Sequence, residues 1–279
     1  MVGTPTESSE QQISPAPRAL IAQRIEGQWP LLSSVGFWVR IPDVPTFMNR
    51  QYYQEEYKKL KPGWQDGQAM YCAIVDSLIE KDTKILDIGC GYRNVMKTAY
   101  SKTNKTYGID PNKKALAKNK IIKNKIVCQA ENLPFPDNFF DLVVSAWVLE
   151  HLENPSVVFK EIYRVLKPRG KVIFLTPNAW NYTIWMIRMT PAKFHAFFAR
   201  KLYGIQKHDI FPKFYKINSV KRINQTLKPI GFKKVKLYLN GDPTYISFNN
   251  FFFKLACFLE DLFDKFPSAR VHLIGIYEK

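Results

Sequence analysis

Two carboxylates near a pair of glycines in the first half of the chain could together hold a ligand that contains a ribose. Residues 85–91 read ILDIGCG, so Asp87 lies two residues before Gly89, and Gly91 follows at the next alternate position. Asp110 comes 21 residues after Gly89, in the segment YGIDP. Glycine lets the backbone approach a ligand closely, and an acidic side chain at the end of the following strand can accept both ribose hydroxyls. We therefore predict a cofactor site at this turn.

The position of Asp87 favours S-adenosylmethionine over a dinucleotide. The pyrophosphate of a dinucleotide would lie at the glycine turn, where a nearby carboxylate repels it. The same carboxylate attracts the ammonium group of S-adenosylmethionine. The dinucleotide pattern GxGxxG also fails, because Asn94 stands at its last glycine position. The alternative is a turn that only closes a strand–helix unit, and it gives no reason for Asp87 and Asp110 together.

Short apolar runs alternate with helix-like segments from about residue 84 onward, which is typical of βαβ units with a parallel sheet. The predicted strands are residues 84–88, 105–109, 125–129, 140–146, 170–176, 232–239 and 271–277. The predicted helices are residues 65–80, 155–166 and 219–227. In the second of these helices, Val158, Ile162 and Val165 form one apolar stripe. These elements predict a doubly wound α/β fold.

The chain is expected to divide into an N-terminal extension of residues 1–50, partly disordered, and one domain of residues 51–279. Its hydrophobic content of 46% is enough to build a core. Two segments of the domain, at about 178–218 and 240–270, are longer than the sheet requires. Both would leave from the carboxyl ends of strands, the edge at which doubly wound folds bind ligands. We therefore expect them to form a lid.

Four motifs, in this order, resemble those of the class I S-adenosylmethionine-dependent methyltransferases of the ubiquinone-biosynthesis type, the methyltransferase type 11 family. They are ILDIGCG at residues 85–91, YGIDP at 107–111, CQAENLPFPDNFFDLVVSAWVLEHL at 128–152 and EIYRVLKPRGKVIFLTPN at 161–178. The resemblance implies a Rossmann-like fold, whose seven-stranded, mostly parallel sheet has an antiparallel last strand, with a helical lid. It also implies S-adenosylmethionine as the cofactor and methyl transfer as the reaction.

The resemblance further implies which residues surround the cofactor. They are Asp87, Gly89, Cys90 and Gly91 at its methionine end, Asp110 and Pro111 at its ribose, Gln129, Ala130 and Glu131 at its adenine edge, and Ser145 with the residues up to Val148 under its sulfonium. Two positions depart from the family pattern. Arg93 stands where the family usually has a third glycine, and Gln129 replaces a common aspartate, although the Gln129 carbonyl can still accept a hydrogen bond.

Methyl transfer requires alignment of the reactants, exclusion of water and, for a hydroxyl acceptor, removal of a proton; no metal is expected. Two histidines are placed to act as the base: His151, just after the fourth strand, and His208, which precedes Asp209 in the first lid segment. His151 is equally well interpreted as a residue that caps or orients its loop. The pair His208 and Asp209 is equally compatible with an ordinary exposed loop. His195 and His272 are interpreted as helix-surface and strand residues.

The formal net charge of +17 is unevenly distributed, with basic stretches at residues 101–127 and 193–236. Such a field favours anionic partners, namely nucleic acid, anionic lipids or acidic substrates. A solvated lysine-rich surface is the simpler alternative.

The predicted function is methyl transfer to oxygen or carbon of a small-molecule, lipid or saccharide acceptor. An RNA methyltransferase is the first alternative. It is disfavoured because residues 145–148 read SAWV instead of the Asp/Asn-Pro-Pro-aromatic loop of base methylation, and because no RNA-binding module is recognised. A non-catalytic protein that retains the fold is the second alternative.

Four widely spaced cysteines without a metal-binding pattern indicate free thiols and a cytoplasmic protein. The sequence contains no run of about 18 apolar residues, so it predicts no transmembrane helix. Residues 248–263 carry Phe and Leu at helical spacing, a stripe that is expected to pack on the sheet or on the other lid segment. Peripheral membrane contact is the alternative: nearby lysines favour it, whereas Glu260, Asp261 and Asp264 oppose it.

Overall fold

The computed structural model describes residues 46–92, 95–182, 212–247 and 249–279. All of them belong to one compact unit, residues 36–279. The candidate base His208, its neighbour Asp209, and Arg93 in the glycine turn lie outside the described residues.

Seven strands within this part of the chain form one sheet. They are β1 (Ile85–Ile88), β2 (Thr106–Ile109), β3 (Asn124–Ile126), β4 (Phe140–Ala146), β5 (Leu166–Pro177), β6 (Lys233–Asn240) and β7 (His272–Glu278). Their order in the sheet is β3-β2-β1-β4-β5-β7-β6. β7 runs antiparallel to both of its neighbours, β5 and β6, whereas the other neighbouring strands are parallel. The predicted, mostly parallel sheet with an antiparallel last strand is confirmed.

The α-helices of the described residues are interleaved with these strands. They are α1 (Thr46–Leu60), α2 (Gly67–Asp76), α3 (Lys97–Tyr100), α4 (Lys113–Lys118), α5 (Pro155–Val165), α6 (Val220–Leu227) and α7 (Asn250–Phe263). Within the described ranges, no helix is both long and apolar enough to cross a membrane. Polar side chains define where helices begin: Asp66 accepts hydrogen bonds from the N–H groups of Gln68 and Ala69 at the start of α2, and Ser219 caps α6 similarly.

Two strands differ from their predicted bounds by more than one residue because of how they pair. β3 ends at Ile126, three residues before Gln129, because Ile126 pairs with Ile109, the last residue of β2. β5 begins at Leu166, four residues before the predicted start, because Leu166 already pairs with Phe140 in β4. The pairing of β4 with β5 contains a register shift between Phe140 and Leu142.

Helix α1 was not predicted from the sequence, and it runs through the boundary expected at residue 50. It packs on the connection between β6 and β7. Arg50 donates to Asp242 at 2.8 Å, and Tyr53 stacks on Phe253 with ring centroids 4.8 Å apart. Arg50 and Asp242 lie 192 positions apart in the chain, so no local pattern could indicate this packing.

The buried core is centred on the middle strands of the sheet. The side chain of Phe174 in β5 is fully buried, and its ring contacts Phe159 of α5 and stacks on Tyr277 of β7, at centroid distances of 6.0 and 5.9 Å. Gly275 of β7 pairs with Phe174 across the sheet, and the Phe174 ring occupies the space that a Cβ at position 275 would need. Packing therefore requires glycine at this position.

We expect Gly275→Ala to lower the free energy of unfolding by about 1–3 kcal/mol, the usual cost of overpacking a filled core. The added methyl group would overlap the Phe174 ring, which has no free space to move into because it is fully buried. Urea denaturation followed by circular dichroism measures this change. The same substitution in a Phe174→Leu background should cost less, and equal costs in both backgrounds would contradict the explanation.

Candidate active site

Backbone hydrogen bonds attach the turn after β1 to the end of β2. The N–H groups of Gly89 and Cys90 both donate to the carbonyl of Ile109, at 2.9 and 3.2 Å. Gly89 and Gly91 have φ values of +70° and +48°, a backbone region that favours glycine. Val148, two residues after β4, covers Gly89 so closely that a methyl group at position 89 would overlap it. Gly89 is therefore required both by backbone conformation and by the close approach of Val148.

The side chain of Asp110 closes this turn from the tip of β2. Its Oδ2 accepts a hydrogen bond from the N–H of Gly91 at 2.9 Å, and its Oδ1 accepts one from the N–H of Asn112 at 2.7 Å. These two hydrogen bonds fix the orientation of the carboxylate. Pro111, which follows Asp110 in the sequence, is exposed. The carboxylate is thus held in place for a ligand with two neighbouring hydroxyl groups.

Asp87 is fixed by a buried tyrosine of α3. The Tyr100 hydroxyl donates to Asp87 Oδ2 at 2.8 Å, and Tyr100 is 3% exposed. Burial, and next the charge of Asp87, raise the pKa of Tyr100 well above its ordinary value, so the phenol stays protonated as a donor. Sequence reasoning missed Tyr100, because nothing in its local pattern distinguishes it from an ordinary core residue.

Cys90 contributes to the turn through its backbone. Its side chain is buried, and its Sγ lies against Gly108 of β2, where a Cβ would collide with it. Burial, together with the nearby charges of Asp87 and Asp110, raises the pKa of the Cys90 thiol, so the thiol stays protonated. Its side chain therefore serves packing.

The residues predicted at the adenine edge follow β3 and begin close to Asp110. The backbone N–H of Asp110 donates to the carbonyl of Ile126, the last residue of β3, at 3.4 Å. Beyond Ile126 the chain continues to Gln129, which is exposed, Ala130, which is buried, and Glu131, which is half-buried. The structure therefore brings this segment to the same edge of the sheet as Asp110.

The end of β4 and the residues that follow it lie beside the glycine turn. Ser145 is buried, and its hydroxyl donates to the carbonyl of Ile88 at 3.3 Å, within the paired strands β1 and β4. Trp147 has a φ of +61°, which is strained for a bulky residue, and its indole N–H donates to Gln68 Oε1 at 2.9 Å. Backbone strain of this kind is concentrated at functional sites. Val148 is the residue of this segment that covers Gly89.

His151 lies in a single turn of 3-10 helix, Leu149–His151, directly after this segment. Its Nδ1 is 2.7 Å from the carbonyl oxygen of Pro212. A carbonyl only accepts hydrogen bonds, so Nδ1 carries the proton and Nε2 is the acceptor nitrogen of the neutral ring. Nε2 is 4.0 Å from Oε1 of Glu150, a buried carboxyl whose pKa is raised chiefly by burial. Orienting the loop would therefore involve Nδ1 of His151, whereas acting as a base would involve Nε2. The two interpretations of this residue are compatible.

His272 was interpreted from the sequence as a strand residue. It does lie in a strand, and its position in the sheet is at the edge that carries the candidate site. Because β7 is antiparallel, its first residue lies at the carboxyl edge of the parallel strands, where His272 pairs with Pro177 and Asn240. Its Nε2 is 2.8 Å from the Tyr245 hydroxyl, and its ring centroid lies 5.1 Å from that of Trp147. Burial lowers the pKa of His272 to about 4, so the ring is neutral at pH 7.

Comparisons with known proteins bear on the same part of the chain. A family described as "Methyltransferase domain" matches residues 86–174. The ubiquinone/menaquinone biosynthesis C-methyltransferase of Paraburkholderia phytofirmans is 29% identical over 135 residues, which cover 42% of this chain and 55% of that protein. The demethylmenaquinone methyltransferase of a Geobacillus strain is 35% identical over 108 residues, which cover 35% of this chain and 46% of that protein. The matches thus span about half the length of these relatives.

One solved structure with a similar fold is the methyltransferase determined in complex with the Trm112 methyltransferase activator of Haloferax volcanii. It aligns with a TM-score of 0.52 and 12% identity, over 82% of this chain and 96% of that chain. At such low identity the similarity concerns the fold alone. Together these comparisons confirm the resemblance inferred from the four motifs.

We expect His272 to make stability depend on pH in the acidic range. Because its pKa in the folded state is about 4, below the ordinary value of 6.5, the unfolded chain takes up this proton first as the pH falls. His272→Gln removes this titration while Asp242, Arg50 and Tyr245, which also act on this ring, stay in place. The stability advantage of the wild type over the variant should therefore shrink by about 2–3 kcal/mol between about pH 7 and 4.5. Urea denaturation at both pH values tests this, and a constant difference would contradict it.

Proposed function

We propose that this chain, whose residues 86–174 form a methyltransferase domain of the class I S-adenosylmethionine-dependent type, transfers a methyl group to oxygen or carbon of a small-molecule acceptor. The family and the fold imply S-adenosylmethionine as the cofactor. One observation carries the proposal: the carboxylates of Asp87 and Asp110 flank the turn that contains Gly89 and Gly91.

The described residues fit this cofactor in charge and in shape. Asp110, which is held by the N–H groups of Gly91 and Asn112, would accept hydrogen bonds from the two ribose hydroxyls. Asp87 supplies negative charge for the ammonium group of the methionine end. Gly89 and Gly91, with the backbone of Cys90 between them, allow close approach to the backbone.

We assign the remaining contacts from position along the same edge of the sheet. Gln129, Ala130 and Glu131 would line the adenine, with Pro111 beside the ribose. The segment from Ser145 to Val148 would lie under the sulfonium, with Val148 as its closest part to the turn. Because the Ser145 hydroxyl is already engaged with Ile88, we expect its contribution to be packing within the sheet.

Proton removal from the acceptor is the step for which a side chain is needed. The cofactor would supply a methyl group on a positively charged sulfur. Because that sulfur becomes a neutral thioether when the methyl group is transferred, its departure requires neither an acid nor a metal. Among the described residues we assign the base to His151, because its Nδ1 is oriented by Pro212 and its Nε2 is then the basic nitrogen. His208 and Asp209 remain candidates for the same step.

The acceptor is proposed to be a small molecule of the lipid, quinone or saccharide type. The relatives that support this class are named for C-methylation in ubiquinone and menaquinone biosynthesis and for demethylmenaquinone methylation. The net charge of +17 favours an anionic acceptor. The four cysteines are free thiols, which supports a cytoplasmic location.

We expect Asp110→Asn to weaken S-adenosylmethionine binding about 10- to 100-fold. Hydrogen bonds to a charged group contribute about 1.5–3 kcal/mol, and the amide replaces one acceptor oxygen by a donor. Isothermal titration calorimetry measures the dissociation constant. Asp82→Asn is the matched control, because the Asp82 side chain is 85% exposed and pairs with Lys105, away from the turn. An unchanged dissociation constant for Asp110→Asn would argue against the assigned ribose contact.

Incubation with methyl-labelled S-adenosylmethionine tests the reaction itself. The purified chain is mixed with a cell extract separated into lipid, RNA and small-metabolite pools. We expect label in the lipid or small-metabolite pool, and none with boiled protein. Label confined to RNA would replace the proposed acceptor class. Binding of the cofactor without transfer to any pool would point to a non-catalytic protein.

A further inference from the structure

Helix α7 has two apolar faces, and among the described residues one of them is packed while the other is exposed. Phe253 and Ala256 are buried, and Phe253 stacks on Tyr53 of α1. The opposite face is exposed and includes the helix residues Phe251, Phe258 and Leu262, followed by Phe266 just beyond the helix. We call these four residues the α7 outer face.

The exposure of the outer face is unusual for side chains of this size. Phe251, Phe258 and Phe266 are 70%, 64% and 61% exposed. In an α-helix, positions 251, 258 and 262 are separated by seven and four residues, so their side chains project on the same side. A set of large apolar side chains grouped on one surface commonly marks a site of interaction, whereas single exposed ones do not.

The three acidic residues that oppose a membrane contact all form ion pairs, and the side chains of Asp261 and Asp264 are 60% and 40% exposed. Glu260 is 1% exposed, accepts a hydrogen bond from Tyr182 at 3.0 Å, and lies 3.4 Å from Arg270. Asp261 and Asp264 both form ion pairs with Lys61, at 2.7 and 3.1 Å. These three carboxylates share two cations, Lys61 and Arg270, and the exposed Lys254 and Lys265 bring the local count to four cations against three carboxylates.

Charge distinguishes a lipid surface from other occupants. The chain carries a formal net charge of +17, and exposed Lys254 and Lys265 lie on α7 and directly after it. Lysine side chains can extend from an apolar surface to lipid headgroups, and anionic headgroups attract them. A second copy of the chain would bring the same positive charge against itself, which opposes association.

We propose that the α7 outer face docks this protein on the surface of an anionic lipid bilayer. The aromatic side chains enter the boundary between headgroups and acyl chains, and the lysines contact the headgroups. This proposal does not depend on methyl transfer. Docking on lipid can therefore fail while the proposed activity holds, and the activity can fail while docking holds.

Co-sedimentation of the full chain with lipid vesicles tests the proposal. The vesicles contain phosphatidylcholine alone or phosphatidylcholine with about one quarter phosphatidylglycerol. We expect the wild type to bind the mixed vesicles more tightly than the neutral ones. Phe251→Ser combined with Phe258→Ser should weaken binding to the mixed vesicles about 10- to 100-fold, because burial of each ring contributes to the affinity. Lys254→Glu combined with Lys265→Glu should reduce the preference for anionic vesicles.

The matched control combines Val157→Ser with Val235→Ser, which remove apolar side chains that are 44% and 52% exposed on other elements. This variant should bind like the wild type.

Three results of the vesicle experiment would overturn the proposal: no binding of the wild type to mixed vesicles, equal loss of binding in the control variant, or full binding by the double phenylalanine variant. A change of oligomeric state in the phenylalanine variant, without an effect on vesicles, would assign the face to protein contact and also overturn it. Urea denaturation verifies that each variant is folded. If the double phenylalanine variant is unfolded, the double lysine variant tests the proposal through its preference for anionic vesicles.

Discussion

The hydrogen bonds that attach the turn after β1 to the end of β2 are the constraint on which the candidate site depends. Gly89 and Cys90 share the carbonyl of Ile109, and Asp110 binds the N–H of Gly91. The carboxylate proposed to bind ribose is therefore also a structural part of the turn. A hydrogen bond to a charged group contributes about 1.5–3 kcal/mol, so this contact stabilises the conformation of the turn.

A buried ion pair positions the opposite side of the same sheet edge. Arg50 and Asp242 are 8% and 0% exposed, and they join α1 to the connection between β6 and β7. Such a pair is weak evidence for net stability, but loss of one partner costs about 3–5 kcal/mol because the other charge stays buried. If α1 docked elsewhere, a buried charge would be left unpaired. The guanidinium of Arg50 also lies over the ring of Tyr245, 4.9 Å from its centroid. Tyr245 in turn contacts His272, which lies against Trp147.

The same docking gives α7 its two-sided character. Its inner face completes a small core with Tyr53, and its carboxylates form ion pairs with Lys61 and Arg270. The stripe was expected to pack on the sheet or on the other lid segment. Phe263 does stack on Tyr182 of that segment, with ring centroids 5.2 Å apart, whereas Phe251, Phe258 and Leu262 are exposed. The apolar spacing of α7 can be recognised in the sequence. Which part of the apolar stripe is buried cannot, because the residues that pack on it belong to α1, almost 200 positions away in the chain.

Local sequence alone determined the sheet, the glycine turn and both carboxylates, because each depends on a few adjacent residues: an apolar run, a glycine at positive φ, an acid at a strand end. It placed Asp87 and Asp110 at the correct strand tips. Only the tertiary structure decided the partners of these residues, including Tyr100 beside Asp87, and the contacts of His272 with Tyr245 and Trp147 at the same edge of the sheet. It also ended β3 at Ile126, since a strand continues only as far as its partner does. Contacts between residues far apart in sequence leave no periodicity to detect, which is why the motif and its surroundings differ so much in how well they can be predicted.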